Sequence, residues 1–242
     1  MNETPLCSVL FPTRGRTGKA MKAICQMIRL WKGDLHDLEI IVRVNPDQWC
    51  TDVAMGEQFF NQEVNEGLKF ILLVDQLKGY RHLHRYFNQM APLATGKWIF
   101  MMSDDGFIQT DGWDEIIAKV PVNPEVEPAL LQPECNGEPN CFPIISRAWY
   151  RELGHVAHHV SLDGYLQRIG EIIGCMYPVD IYVHHEKHEL TGCPVDDTRR
   201  ERDEFLKEFN QNPWENQVNA PQFLKMIQAD ADQLRNYMAL IM

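Results

Sequence analysis

The sequence predicts an α/β fold: a mostly parallel central sheet flanked by helices, followed by a C-terminal helical extension. Three observations lead there. Strand-like and helix-like segments alternate through roughly the first hundred residues. The strand-like segments are continuous apolar runs, the pattern of strands buried on both faces of a sheet. The chain has 242 residues, 45% of them hydrophobic, enough to fill one large core.

The elements follow in order. Cys7–Phe11 reads as a buried strand stopped by Pro12, and Ala20, Ile24, Met27, Ile28 and Trp31 recur at helical spacing after it. Glu39–Val44 ("EIIVRV") is a second strand, ended by Asn45-Pro46, and Leu68–Val74 ("LKFILLV") a third. Tyr80, Leu83, Phe87, Met90, Ala91 and Ala94 form another helical stripe, which Pro92 kinks or shortens and Gly96 ends. Trp98–Met102 is the fourth strand. Trp113–Lys119 reads as a short helix, and Ala129–Leu131 and Phe142–Ile145 as strands. Ser161 is placed to cap a helix carrying Leu162, Leu166, Ile169 and Ile173 on one face, and Pro178–His184 reads as a strand. Asp196–Glu208 is a charge-rich exposed helix. A last amphipathic helix with Phe223, Ile227, Ala231, Leu234 and Met238 in register packs on the body or on a second copy of the chain, making a homo-oligomer. The expected division is 1–195 for the main domain, split near 106, and 196–242 for the helical extension.

Bulk properties narrow the function. The net charge is −11, from 23 Lys+Arg against 34 Asp+Glu, which disfavours tight binding to bare nucleic acid. No apolar run is long enough for a membrane helix, and no charged leader precedes an apolar stretch, so a cytoplasmic protein is expected. The seven cysteines include no CxxC; Cys135 and Cys141 are the closest pair, and reduced thiols are expected.

Four features could carry chemistry. In "KWIFMMSDDGF" the adjacent Asp104 and Asp105 stand at the exit of a buried strand. Asp and Gly also make plain polar turns. Two repelling carboxylates there otherwise call for a cation, and Mg²⁺ or Mn²⁺ takes carboxylate oxygens together with substrate phosphates. In "FPTRGR" a strand ends at Pro12, and Thr13, Arg14 and Arg16 precede a helix, which suits a phosphate or nucleotide. Asp163 lies in the first turn of a helix, where the dipole favours an ionised carboxylate, as a general base must be. "YVHHEKHE" is not an HExxH motif, but His184 or His185 at the strand end could serve as one metal ligand; His155, His158 and His159 read as surface residues.

Taken in this order, these segments resemble the nucleotide-sugar-dependent glycosyltransferases of the GT-A (Rossmann-like) fold, particularly small family-two-like members, over about Ser8 to His185. "SVLFPTRGR" is similar to the opening strand and base-holding loop. "GYRHLHRYFNQMAPLATGKWIFMMSDDG" resembles the helix, turn and strand that lead to the family's acidic motif, and "DGWDEII" and "FPIISRAWYRELG" resemble the segments after it. The resemblance implies that Asp104 and Asp105 hold the ribose and metal of a nucleotide diphosphate sugar, with Asp105 in direct metal contact. It implies that Asp163 is the base, that His184 or His185 adds a metal ligand, and that Thr13, Arg14 and Asp47 line the base pocket. Pro12 and Arg16 belong to the same donor-binding loop. The motif here is Ser-Asp-Asp rather than Asp-x-Asp, and Leu162 stands where an acid often precedes the base.

The implied reaction is a metal-dependent, inverting transfer of a hexose or pentose from a nucleotide diphosphate sugar, a UDP-sugar first, to an acceptor hydroxyl. The donor half is about 1–106 and the acceptor half about 107–195. The acceptor could be a saccharide, a lipid-linked sugar, a protein or a modified nucleobase in DNA. The competing readings are a sugar-nucleotide nucleotidyltransferase, which would release pyrophosphate, and a non-catalytic nucleotide-sugar-binding or interaction protein, which would tolerate loss of Asp163.

Overall fold

The computed structural model describes residues 4–14, 16–45, 67–76, 79–136, 138–139, 141–186, 197–207 and 220–241. Four parallel strands begin it: β1 (Cys7–Pro12), β2 (Leu38–Val44), β3 (Lys69–Val74) and β4 (Trp98–Met101), in spatial order β3-β2-β1-β4. The sheet continues through β8 (Ile144–Ser146), β6 (Leu130–Cys135), β9 (Met176–His185) and β5 (Gly106–Ile108), with β7 (Glu138–Pro139) paired to β6. β8 runs antiparallel to β4 and β6, and β5 antiparallel to β9, whereas β6 and β9 are parallel. The sheet is therefore mixed, parallel through the first four strands and reversing where β8 joins.

Side chains alternate across a strand, and here both faces are covered. Val9, Phe11, Ile40 and Phe100 enter one core with Ala23, Met27, Trp31 and Trp113. Leu10, Ile41, Ile99 and Met101 enter the other with Phe87, Met90, Trp149, Tyr165 and Ile169. That is the physical reason the strands are continuous apolar runs. Helices α1 (Thr17–Arg29) and α3 (Trp113–Ala118) lie on the first face, where Trp31 and Trp113 meet edge to face at 4.8 Å. Helices α2 (Leu83–Met90), α4 (Arg147–Leu153), α5 (Leu162–Ile173) and α7 (Pro221–Ile241) supply the second.

Several boundaries differ from expectation for local reasons. β1 includes Pro12 because pairing with β4 ends at Leu10, so nothing on that side needs the missing N–H. α2 stops at Met90 and Pro92 sits in a 3₁₀ turn, Ala91–Leu93. β6 runs on to Cys135, and α4 fills the stretch after β8; its start is capped by the Ser146 hydroxyl, which accepts from Trp149 N–H at 3.2 Å, and Gly154 closes its end in the left-handed region. Ser161 precedes α5 but makes no capping bond with its side chain.

The C-terminal helices both pack on the body. Phe223, Ile227, Ala231 and Leu234 of α7 are buried against α5 and α4, and Met238 is half-buried. Each such large apolar side chain contributes roughly 1.5–3 kcal/mol. Helix α6 (Asp197–Lys207), expected to be solvated, instead lies over the turn Tyr80–His82. Phe205 is buried near Tyr80, and the Arg81 guanidinium stands 5.0 Å from the Phe205 ring. The histidines at 155 and 159, expected at the surface, are half-buried; His158 is exposed.

Candidate functional site

The four parallel strands deliver their exits to one edge, where open α/β sheets place ligands. After β1 come Thr13, Arg14 and Arg16; after β2, Asn45; after β3, Asp75; after β4, Ser103, Asp104 and Asp105. β9 arrives at the same place with His185, because β5 turns straight back from Asp105 to pair with it.

The acidic pair is thus held from several sides. The Thr13 hydroxyl donates to Asp104 Oδ2 at 2.7 Å. Arg16 reaches both carboxylates, 3.0 Å from Asp104 and 3.6 Å from Asp105. His185 Nε2 lies 3.6 Å from Asp105 Oδ2, and the Ser103 hydroxyl donates to Asp105. The backbone locks the corner: Glu186 N–H donates to Asp105 O at 2.8 Å, and Gly106 N–H to Ser103 O at 3.1 Å. The cation that two adjacent carboxylates require is, in the protein itself, the Arg16 guanidinium.

The two acids differ in environment. Asp104 is 1% exposed. Burial raises its carboxyl well above the ordinary range; Arg16 pulls against this and the Asp105 charge adds to it. The Asp105 side chain is 24% exposed. Burial pushes it upward too, but hydrogen bonding and charge from His185, the Arg16 charge and the Ser103 hydroxyl outweigh that and hold it below the ordinary range.

An ionised carboxylate beside an imidazole is a donor set that Mn²⁺ accepts readily and Mg²⁺ in part. The Asp105–His185 pair therefore fits the expected metal. His184 is the neighbouring residue of the same strand, paired with Phe107, and strand alternation turns it to the opposite face. His185 also clusters with Cys135 and Cys141, their ligand atoms within 4.8 Å of one another. Cys135 is buried and Cys141 half-buried.

Arg14 is gripped by Glu201 of α6 through two hydrogen bonds of 2.8 Å, and Glu201 also accepts the Tyr80 N–H at 3.0 Å. Pro12 is buried at the end of β1. Asp163 occupies the first turn of α5, half-buried, and its Oδ1 accepts the Gly164 N–H at 2.9 Å. It stands in the electrostatic reach of Tyr80, whose hydroxyl is pushed up to about 12, chiefly by burial. Asp47 lies outside the described residues. Two other acids of this half are on open surface: Asp111 is 63% exposed and paired with Lys32 at 2.7 Å, and Glu134 is exposed on β6.

Sequence reasoning missed a second cluster at this edge. Arg43 is buried at the end of β2, donates to Asn45 and to Asp75, and lies 3.8 Å from the Tyr86 ring centroid. Gln89 donates to the other oxygen of Asp75 at 3.0 Å. The signal was available: a charged residue inside the apolar run "EIIVRV" needs a partner at the strand exit.

With this geometry in hand, solved structures identify the fold. The mannosyltransferase PcManGT from Pyrobaculum calidifontis, in complex with GDP-Man and Mn²⁺, matches with a TM-score of 0.58 and 13% identity over 99% of this chain and 79% of its own. TarS 1–349 of S. aureus in complex with UDP matches with a TM-score of 0.57 and 11% identity over 90% and 70%. The same protein in complex with UDP-GlcNAc gives 0.56 and 12% over 90% and 71%. No family model matches the chain. No curated protein matches its sequence. The chain has the GT-A fold, as the sequence predicts. No helix among the described residues is long and apolar enough to cross a membrane.

Proposed function

We propose that the protein is a metal-dependent, inverting glycosyltransferase that moves a hexose or pentose from a nucleotide diphosphate sugar, a UDP-sugar first, to an acceptor hydroxyl. One observation carries this: on a GT-A sheet, Thr13, Arg16, Asp104, Asp105 and His185 converge where the strands exit. Residues up to about 106 form the donor half, those to 195 the acceptor half, and those from 196 the helical extension. The fold neighbours complexed with UDP, UDP-GlcNAc, and GDP-Man with Mn²⁺ support a donor of this class.

Asp105 and His185 would hold Mn²⁺ or Mg²⁺, which when bound offsets the charge building on the departing diphosphate. Thr13 orients the Asp104 carboxyl, which is placed for the ribose. Arg16, now spanning both carboxylates, is positioned to turn to phosphate oxygens once donor enters. Arg14 and the strand exits around Asn45 flank the nucleotide base. Asp163, in the first turn of α5, removes the acceptor proton as the acceptor oxygen attacks the anomeric carbon. A single displacement inverts that centre and needs no covalent nucleophile.

The test is Asp105→Asn. It preserves shape and removes the charge. UDP binding by calorimetry in Mn²⁺ should weaken to the level the wild type shows in EDTA, with the melting temperature held. Equal affinity of variant and wild type in Mn²⁺ refutes the metal assignment. Release of pyrophosphate from a nucleoside triphosphate would instead mark a nucleotidyltransferase.

A further inference from the structure

Far along the chain from the acidic pair, three metal-ligating side chains meet between the loop after α4 and the C-terminal helix. His155, His158 and Asp230 offer ligand atoms that all lie within 4.8 Å of one another. His155 Nε2 stands 3.4 Å from Asp230 Oδ2. That is too long for a charge-assisted hydrogen bond, about 2.7–2.9 Å. It matches two donors sharing one tetrahedral ion, about 3.3 Å apart for bonds near 2.05 Å. The His155 and His158 rings lie 3.8 Å apart, centroid to centroid, inclined at 39°. His155 Nδ1 is buried and, among the described residues, takes no hydrogen bond.

The surroundings are built rather than incidental. Asp230 is a buried carboxylate on α7, and the Tyr165 hydroxyl of α5 donates to its Oδ2, an outer-shell contact of the kind that orients metal-ligating carboxylates. The loop carrying the histidines is pinned to α2: Asn88 accepts the Val156 N–H at 2.8 Å and donates to Ala157 O at 2.8 Å. His158 is exposed and Asp230 buried, so the cluster opens to solvent on one side only. Two imidazoles, one carboxylate and an open position for water make a zinc-type set.

We propose that His155, His158 and Asp230 form a second divalent-metal site, of zinc type, with three protein ligands and water as the fourth, that ties the C-terminal helix α7 to the loop ahead of α5. An ion held only in the folded state stabilises it by mass action. The site shares no residue with the donor site, so the two assignments stand or fall separately.

The experiment uses the full chain without donor. Zn²⁺ at about a hundredfold excess over its Kd should raise the melting temperature by about 5–10 °C. Co²⁺ should give the visible absorption band of a tetrahedral ion. The comparison is made in a His185→Ala background, which disables the metal sets at the strand exits; there the shift and the band should remain. His158→Ala removes an exposed side chain, so the doubly substituted variant folds, and it should lose both. A zinc response and cobalt band already absent in His185→Ala, or unchanged when His158→Ala is added, overturns the proposal.

Discussion

Two carboxylate centres sit at opposite ends of the same four strands, and their chemistry diverges. At the strand entrances Glu39, fully buried, accepts from the Ser8 hydroxyl, from Thr95 N–H at 2.7 Å and Thr95 Oγ1 at 3.0 Å, and is paired with Lys69. Gly96 lets the turn close on it: a Cβ there would come within 2.6 Å of the Ser8 backbone nitrogen, and its N–H donates to Ser8 Oγ at 2.7 Å. Burial pushes Glu39 upward, yet its donors outweigh that and hold it below the ordinary glutamate range. At the exits, by contrast, Asp104 is raised by burial while sharing one arginine with Asp105. One end has a carboxylate whose every neighbour is a donor. The other has two adjacent carboxylates that share Arg16, one raised by burial and one held low by His185, Arg16 and Ser103. An unbalanced, partly open centre is where perturbed groups mark function; a balanced closed one is a clasp.

The largest effect should come from the site end. If Asp163 is the base, Asp163→Asn should lower the single-turnover transfer rate about 10²–10⁴-fold while donor affinity holds. Transfer at the wild-type rate would leave Asp163 as a carboxylate serving only the helix dipole and the Gly164 N–H.

The clasp end should respond in stability alone. Glu39→Ala strands the Ser8 hydroxyl and the Thr95 N–H without their acceptor. About 3 kcal/mol should be lost, a melting temperature lower by about 6–12 °C, with nucleotide affinity of the folded protein unchanged. A variant that melts normally but binds nucleotide poorly would merge the two ends into one functional unit.

A smaller, pH-dependent effect separates the ends further. The folded pKa of Glu39 is depressed, so its stabilisation is complete above the unfolded value of about 4.3 and is lost as pH falls through the folded value. Glu39→Gln should therefore flatten the loss of stability on the acid side of that value, measured by denaturant unfolding across the pH series. An acid limb of unchanged slope would assign the acid sensitivity elsewhere.

How much of this was legible follows from how local each signal is. The first four strands and their helices are written in local periodicity, and the Asp104–Asp105 exit stands out because charge ends an apolar run. β8, expected over Phe142–Ile145, lies at Ile144–Ser146, whereas β5 has three residues and is defined by a partner distant in sequence, β9, so periodicity had nothing to register there. α4 did carry its caps, Ser146 and Gly154, and could have been read from them. That His185 rather than His184 lies beside Asp105 could be seen only from the register of β9 against β5. Glu201 was invisible because a charge run reads the same whether its face meets water or Arg14.

That last residue gives the smallest and sharpest comparison. Arg14 and Glu201 are 25% and 35% exposed, so both members of the pair are partly solvated, whereas the Glu39 carboxylate is fully buried. Such pairs contribute about 0.2–1 kcal/mol. If Arg14 serves the donor, it must leave Glu201 to do so, and the pair competes with binding. Glu201→Gln keeps an oxygen for the Tyr80 N–H and removes the charge that holds Arg14. Nucleotide affinity should then tighten, by at most about fivefold, with the gain shrinking as salt screens the pair in the wild type. Calorimetric titration of UDP at two ionic strengths reads this directly. Weaker binding would mean that Glu201 positions Arg14 for the donor, which would make α6 part of the donor pocket and Arg14 as fixed at the exits as Glu39 is at the entrances.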